Sequence, residues 1–183
     1  MPNPSDRFFV LTGGPGAGKT TMIEALARAG FATTTEAGRA IIRGQLEVGG
    51  SATHQTNPAL FAELMLAFDI QSYRQALCEA GPVFFDRGVT ELAGYHGMMG
   101  LAAPAHFRTA AEKFRYSRRV FVAPPWPEIF ANDSERKQSL GEAVRSHEAV
   151  VQTYAEFGYT IVPLPKASIE ERLRFVLAET GLR

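Results

Sequence analysis

Residues 7–21, RFFVLTGGPGAGKTT, decide the fold. Phe8 to Leu11 form a short apolar run, which is typical of a strand buried on both faces. The glycine-rich stretch from Gly13 to Thr20 fits G-x-x-x-x-G-K-[ST], and a helical segment that bears alanine and leucine follows it. Strand, loop and helix in this order predict a phosphate-binding P-loop rather than an ordinary glycine-rich turn.

The residue types of this loop suit a nucleoside triphosphate. Glycines let successive backbone N–H groups point at one phosphate, and the positive end of the next helix faces the same place. Lys19 can reach the outer two phosphates as a point charge, and the Thr20 hydroxyl can ligate Mg²⁺ between them. We therefore expect the nucleotide to be bound by Gly13, Gly14, Pro15, Gly16, Ala17, Gly18, Lys19, Thr20 and Thr21.

Length and composition narrow the class of protein. The chain has 183 residues, and its 19 lysines and arginines balance 19 aspartates and glutamates. We expect one domain, spanning residues 1–183, and no nucleic-acid partner, because there is no excess of positive charge. The lone Cys78 cannot form an internal disulfide, and its expected place is the apolar face of a helix. Since neither a signal peptide nor a membrane span is recognisable, we expect a cytoplasmic protein that does not bind membranes.

Strand-like and helix-like segments alternate along the chain. This alternation predicts an α/β fold with a parallel sheet covered on both faces, built from five strands and about six or seven helices. Strands are expected from Phe8, Phe31, Val83, Arg119 and Tyr159, and a long helix is expected over 58–80. The polar run 132–134 is expected to cap a helix that ends near Phe157, and Ser168 to cap the last helix.

Asp86 and Arg87 follow the apolar run that predicts strand three. In open α/β sheets, ligands bind outside the carboxyl ends of the strands. Asp86 can therefore lie beside Mg²⁺, directly or through water, or accept a proton from a substrate hydroxyl. Arg87 can bind an anionic substrate or the transferred phosphate. The alternative is a strand-end carboxylate in a structural ion pair.

Glu36 follows strand two and opens a helix that carries Arg39 on its first turn. A carboxylate here can simply favour the start of the helix. It can also face the P-loop across the crevice, where it would bind the substrate or act as a base, with Arg39 beside it. Arg136 comes early in the segment after strand four and can supply positive charge to a transferring phosphate. Arg145 is the weaker candidate for that role, and Trp126 is either a turn anchor or a surface for a base.

Absent motifs also matter. The sequence has no Asn-Lys-x-Asp segment of the kind that guanine-selective switch proteins use. No Asp-Glu pair follows an apolar strand, as in motor ATPases that position a hydrolytic water; Asp86 is followed by arginine instead. This pattern favours transfer of a phosphoryl group over its hydrolysis.

These residues carry a family resemblance. The loop from Gly13 to Thr20 is followed in order by Thr35-Glu36-Ala37, Phe85-Asp86-Arg87-Gly88, Pro124-Pro125-Trp126-Pro127 and Asp133-Ser134-Glu135-Arg136. In this the chain resembles a bacterial family of small AAA-domain ATP-binding proteins, which is similar to the P-loop nucleoside and nucleotide kinases, including the nicotinamide riboside kinase domain. The resemblance covers nearly the whole chain.

The resemblance implies a three-layer α/β/α P-loop NTPase fold with strand order 2-3-1-4-5, and ATP with Mg²⁺ as the phosphate donor. It implies a lid-like segment near 127–140 with Arg136 as its arginine, Glu36 as a carboxylate on the substrate side, and Asp86-Arg87 as the acidic-arginine step of such kinases. The expected lid lacks the dense row of arginines that nucleoside monophosphate kinases often carry, so an acceptor with fewer charges than a monophosphate fits equally well.

The sequence therefore predicts an ATP-dependent kinase for a small molecule, with a nucleoside, a nucleotide or a similar compound as the expected acceptor. Lys19, Glu36, Asp86 and Arg136 are its catalytic candidates, with Glu36 or Asp86 as the base. Glu36, Arg39 and Arg87 are expected at the acceptor, and Thr20 and Asp86 at the metal. A nucleotide-binding regulatory ATPase with a protein partner is the alternative, and a toxin or antibiotic-modifying phosphotransferase would use the same core. The sequence names no acceptor and leaves a homodimer open.

Overall fold

Five parallel strands form the sheet in this computed structural model, which describes residues 4–130 and 139–182. They lie in the order β2-β3-β1-β4-β5, which confirms the predicted order. Their bounds are β1 Phe8–Gly13, β2 Ala32–Thr33, β3 Val83–Asp86, β4 Arg119–Ala123 and β5 Thr160–Pro163.

Helices connect the strands. The described residues contain α1 Lys19–Arg28, α2 Ala37–Val48, α3 Pro58–Ala76, α4 Val89–Met98, α5 Ala105–Lys113, α6 Leu140–Glu156 and α7 Ile169–Thr180. Short 3₁₀ turns cover Pro4–Arg7 and Pro127–Ile129. None of the helices in these ranges is both long and apolar enough to cross a membrane.

The central strand β1 places side chains in both halves of the core. Successive side chains of a strand point to opposite faces, and all six residues of β1 are buried. Phe8 and Val10 pack with Tyr73 of α3 and Tyr154 of α6. On the other face of the sheet, Phe9, Leu11 and Phe84 pack in one cluster with residues of α1 and α7, namely Met22, Leu26 and Val176. The result is the predicted three-layer α/β/α arrangement.

Two helix bounds differ from expectation. Helix α3 ends at Ala76 rather than near residue 80, and the Arg7 guanidinium donates to the carbonyl oxygens of Ala76, Leu77 and Gly81. An arginine at a helix C-terminus satisfies carbonyl groups that lack helical partners. Cys78 consequently lies exposed beyond the helix, and its expected place on an apolar helix face was wrong.

Helix α6 begins at Leu140, and not near residue 134 as predicted. Ser139 has an extended backbone and caps the helix in a reciprocal capping box with Glu142. The proposed capping residues 132–134 and Arg136 lie in the segment 131–138, outside the described residues. Of the expected lid, 127–130 and 139–140 are described.

Candidate functional site

The P-loop begins at Gly13, which ends β1 in register with Ala123 of β4. A Cβ atom at Gly13 would collide with the carbonyl oxygen of Ala123, so only glycine fits this position. At the other end of the loop, Gly18 has a φ of +76° and precedes α1 without a capping side chain. The first N–H groups of α1 are therefore free of a capping side chain, as they must be to bind a phosphate.

Lys19 lies inside the loop rather than in solvent. Its side chain is 6% exposed, and its Nζ donates to the carbonyl oxygen of Gly14 at 2.7 Å. Thr20 and Thr21 are exposed. A cavity of about 720 Å³, here called the P-loop cavity, is lined by residues 15–21 together with Glu36, Arg39, Trp126, Ile129 and the start of α7. The predicted nucleotide-binding residues from Pro15 to Thr21 thus line one cavity.

Asp86 ends β3 beside the P-loop strand, in register with Leu11. It is 5% exposed, its backbone N–H donates to Thr34 Oγ1 at 3.1 Å, and its Oδ1 is buried with no hydrogen-bond partner among the described residues. Burial raises the pKa of this carboxyl to about 6, helped by Glu36 and opposed by Lys19. Asp86 makes no ion pair within the described part of the chain, so no structural ion pair of the kind considered as the alternative is found there.

The side chain of Arg87 links two carboxylates. Its Nε donates to Glu36 Oε1 at 3.2 Å, and its Nη1 donates to Glu91 Oε2 at 2.7 Å. Arg39 Nε donates to the second oxygen of Glu36 at 3.1 Å. Tyr154 Oη donates to Glu91 Oε1 at 3.3 Å. The predicted substrate residues Glu36, Arg39 and Arg87 are therefore one connected network.

Glu36 does more than start a helix. It is the N-cap of α2, but its side chain makes no capping bond, because both carboxylate oxygens accept from guanidinium groups. Glu36 also lines a second cavity of about 160 Å³, here called the α3–α4 cavity. Only Pro15 and Glu36 are shared by the described linings of the two cavities, so the cavities meet at these residues. Arg87 lines the α3–α4 cavity, whereas Arg39 lines the P-loop cavity.

Two acidic residues of this region were missed by sequence reasoning. Asp69 lies on α3 with 9% exposure, and Glu91 lies on α4. Both line the α3–α4 cavity. A signal for Asp69 was present, because it continues the buried face formed by Phe61 and Met65 at steps of four residues. A lone carboxylate on the apolar face of a helix is rare without a partner or a function.

Arg172 was also missed. It lies on α7 with 3% exposure, between Ile169 and Val176 on the face that packs against α1. Its Nη2 donates to the Ala17 carbonyl at 3.4 Å, its Nε has no hydrogen-bond partner among the described residues, and its guanidinium lies 5.9 Å from the Trp126 ring centre. Trp126 is half-buried and lines the P-loop cavity, so it is not simply a buried turn anchor.

The donor set suits a hard cation that is shared with a bound nucleotide. Among the described residues, no group of three or more histidine, cysteine, aspartate or glutamate side chains is arranged to hold a metal ion. Mg²⁺ prefers oxygen ligands and is commonly held by one or two protein oxygens together with phosphates and water. The unpartnered Oδ1 of Asp86 and the exposed hydroxyl-bearing Thr20 fit that pattern.

Comparison with known proteins places the chain in a family. The sequence model described as AAA domain matches residues 8–172. No curated protein matches the sequence. The chain therefore belongs to this AAA-domain family by its own sequence.

Solved structures share the fold at low sequence identity. NadR in complex with NAD and AMP-PNP is 18% identical with a TM-score of 0.73, and the match covers 98% of this chain and 51% of NadR. NadR in complex with NR is 19% identical with a TM-score of 0.71, covering 98% and 53%. Deoxyadenosine kinase from M. mycoides, with the products dCMP and dCDP, is 13% identical with a TM-score of 0.61, covering 95% and 98%. The chain thus spans about half the length of NadR and nearly all of the deoxyadenosine kinase.

Proposed function

We propose that this chain is an ATP-dependent kinase that phosphorylates a small molecule. One observation carries the proposal: the P-loop cavity and the α3–α4 cavity meet at Glu36. A donor phosphate held by Lys19 and an acceptor hydroxyl in the second cavity would come together at that point. A hydrolase needs only the first cavity. The shared fold with a deoxyadenosine kinase supports the same conclusion.

The P-loop would hold the donor. Backbone N–H groups of Gly14, Gly16, Ala17 and Gly18, the Lys19 ammonium and the start of α1 would supply positive charge to the β- and γ-phosphates. Arg172 reaches the loop from α7, and Trp126 beside it offers an aromatic face for the base. Thr20 and Asp86 would hold Mg²⁺, directly or through water, and the ion would neutralise charge on the phosphate oxygens.

Glu36 would accept the proton of the acceptor hydroxyl. In the transfer step, the acceptor oxygen forms a bond to the γ-phosphorus, and the bond from that phosphorus to the β–γ bridging oxygen breaks. The proton passes to a carboxylate, and ADP leaves with the electron pair of the broken bond. We assign the proton to Glu36, because it lines both cavities, and leave Asp86 to the metal ion. Phosphoryl transfer depends mainly on positioning and charge, so a modest base suffices.

The test is release of ADP from ATP and Mg²⁺ against nucleosides, nucleoside monophosphates, nicotinamide riboside and sugars. Lys19→Ala is the blank, and Arg28→Ala is the matched control, because Arg28 is an exposed cation at the far end of the same helix. ADP formation that requires one acceptor class and Lys19 supports the kinase. Slow ADP formation that ignores every acceptor but responds to a protein partner would contradict it and favour a regulatory ATPase.

A further inference from the structure

Asp69 is a buried carboxylate whose function nothing above explains. It projects from α3 into the lining of the α3–α4 cavity and is 9% exposed. Within residues 4–130 and 139–182 it makes no hydrogen bond and no ion pair. Burial of a carboxylate without a partner is costly, and native proteins rarely retain it without a use. A group supplied from the cavity would be its natural partner.

The charges around the cavity favour a positive or hydrogen-donating partner. Among the described lining residues, three carry carboxylates, namely Glu36, Asp69 and Glu91. Arg87 and His54 are the basic side chains of that described lining, and Arg87 is already bonded to Glu36 and Glu91. A phosphate on the acceptor would need a cation of its own and would meet the three carboxylates instead.

The rest of the wall is apolar. Phe61 and Met65 of α3 and Leu92, Tyr95 and Met98 of α4 contribute to it. Such a wall suits the ring of an organic molecule, since small-molecule sites are commonly apolar with a few placed polar groups. The polar end of the site lies at Glu36, and Asp69 provides a separate polar anchor within the wall.

We propose that Asp69 selects the acceptor: an unphosphorylated hydroxyl compound with an apolar ring system that presents a cationic or N–H group to the Asp69 carboxyl. The inference rests on the proposed kinase function and names the acceptor class for the same site. Asp69 is a specificity determinant in this scheme, whereas the reacting hydroxyl lies at Glu36.

The electrostatics of the unliganded site agree with this role. Burial raises the pKa of the Asp69 carboxyl well above its ordinary range, and the neighbouring Glu91, Glu36 and Asp86 raise it further, opposed by Arg87. A cationic ligand would offset the cost of burying this carboxylate and so favour its ionised form.

The experiment uses matched acceptor pairs that differ by one group. Adenosine and AMP, cytidine and CMP, nicotinamide riboside and its mononucleotide, and glucosamine and glucose are each tested for ADP release and, on the protein saturated with AMP-PNP, for binding by calorimetry. Asp69→Asn keeps the shape of the side chain and removes its charge. Glu63→Gln is the matched control, because Glu63 is an exposed carboxylate on the same helix, paired with His106.

We expect the unphosphorylated member of each phosphate pair, and glucosamine over glucose, to be preferred. Asp69→Asn should weaken the binding of the preferred member about 10- to 100-fold while leaving the affinity for AMP-PNP intact and the thermal midpoint no lower. Glu63→Gln should change neither. Preference for the phosphorylated member, unchanged acceptor affinity in Asp69→Asn, or no binding of any unphosphorylated member would overturn the inference. Asp69-dependent binding without any ADP formation would support the inference and overturn the kinase.

Discussion

Arg87 Nε lies 3.2 Å from Glu36 Oε1, although 51 residues separate them in the sequence. The pair ties the end of β3 to the first turn of α2 and so fixes the carboxylate at the junction of the two cavities. Arg87 reaches this position with a φ of +70°, which no other non-glycine residue adopts in the described ranges. Backbone strain of this kind clusters at functional sites, where the surrounding structure enforces it.

Substitution of Arg87 can separate backbone strain from charge pairing. Arg87→Ala and Arg87→Gly both leave Glu36 and Glu91 without their shared partner, and both should lower the free energy of unfolding by roughly 3 kcal/mol. Glycine tolerates positive φ, so Arg87→Gly should be the more stable of the two by about 1 kcal/mol. Urea unfolding measures both values.

The exposed Arg108, which pairs with Glu112 on α5, is the control. Arg108→Ala should cost less than about 1 kcal/mol, since surface ion pairs contribute little. An Arg87→Ala protein as stable as Arg87→Gly would show that the backbone at Arg87 is not strained.

Asp86→Asn should stabilise the unliganded protein. The pKa of Asp86 is raised from 3.8 to about 6, mainly by burial, so the folded protein holds this proton more tightly than the unfolded chain. Stability from this group therefore falls as the pH rises from about 4 to above 6, by about 3 kcal/mol at 1.4 kcal/mol for each pH unit. The amide variant should thus unfold at a higher temperature than the original protein at pH 8 and at a similar one near pH 4. Equal midpoints at pH 8 would contradict the raised pKa.

Ionisation of Asp86 should raise activity, although it lowers the stability of the unliganded protein. An ionised Asp86 is needed beside Mg²⁺, so kcat/KM for ATP should fall about tenfold for each pH unit below about 6. The charged groups that set this value are Glu36, Lys19, Arg87 and Glu91. Asp86→Asn should be at least about 100-fold slower at pH 8 and should lack this acid limb. An unchanged limb in the variant would assign the titration to another group.

The fold was predictable because its signals are local. β1 is apolar on both faces and runs into the glycine-rich loop, and the alternation of apolar runs with helical segments predicts a parallel sheet. The strand order came from the family resemblance. Helix ends were less predictable, since the carbonyl groups at the end of α3 are satisfied by Arg7, about seventy residues earlier.

Site residues were predictable where a motif or a strand end marks them. Glu36, Asp86 and Arg87 follow strands, and the structure brings them to one edge of the sheet. Asp69 and Arg172 instead lie on helix faces that are otherwise apolar. Their partners depend on which helices pack together, and a single sequence does not contain that information in local form.

Arg172 should affect the donor and not the acceptor. Its guanidinium contacts the Ala17 carbonyl and faces Trp126, both in the lining of the P-loop cavity. Arg172→Met keeps an apolar stem of similar length and removes the charge, so KM for ATP should rise about tenfold while KM for the acceptor stays constant. Arg174→Ala, at an exposed position on the same helix, is the control. A rise in the acceptor KM alone would place Arg172 on the wrong side of the site.

The cation that closes over the transferred phosphate remains a prediction from sequence. Arg136 lies in the segment 131–138, and Arg145 lies exposed on α6. If Arg136 stabilises the transferring group, Arg136→Ala should lower kcat about 100-fold with little change in either KM, because the contact would be made mainly in the transition state. Arg145→Ala, which removes the same charge from the same region, should leave kcat within about twofold. If Arg145→Ala were the slower variant, α6 would supply the positive charge in the transition state. If both variants were equally active, Lys19 and the metal ion would be the source of positive charge at the γ-phosphate.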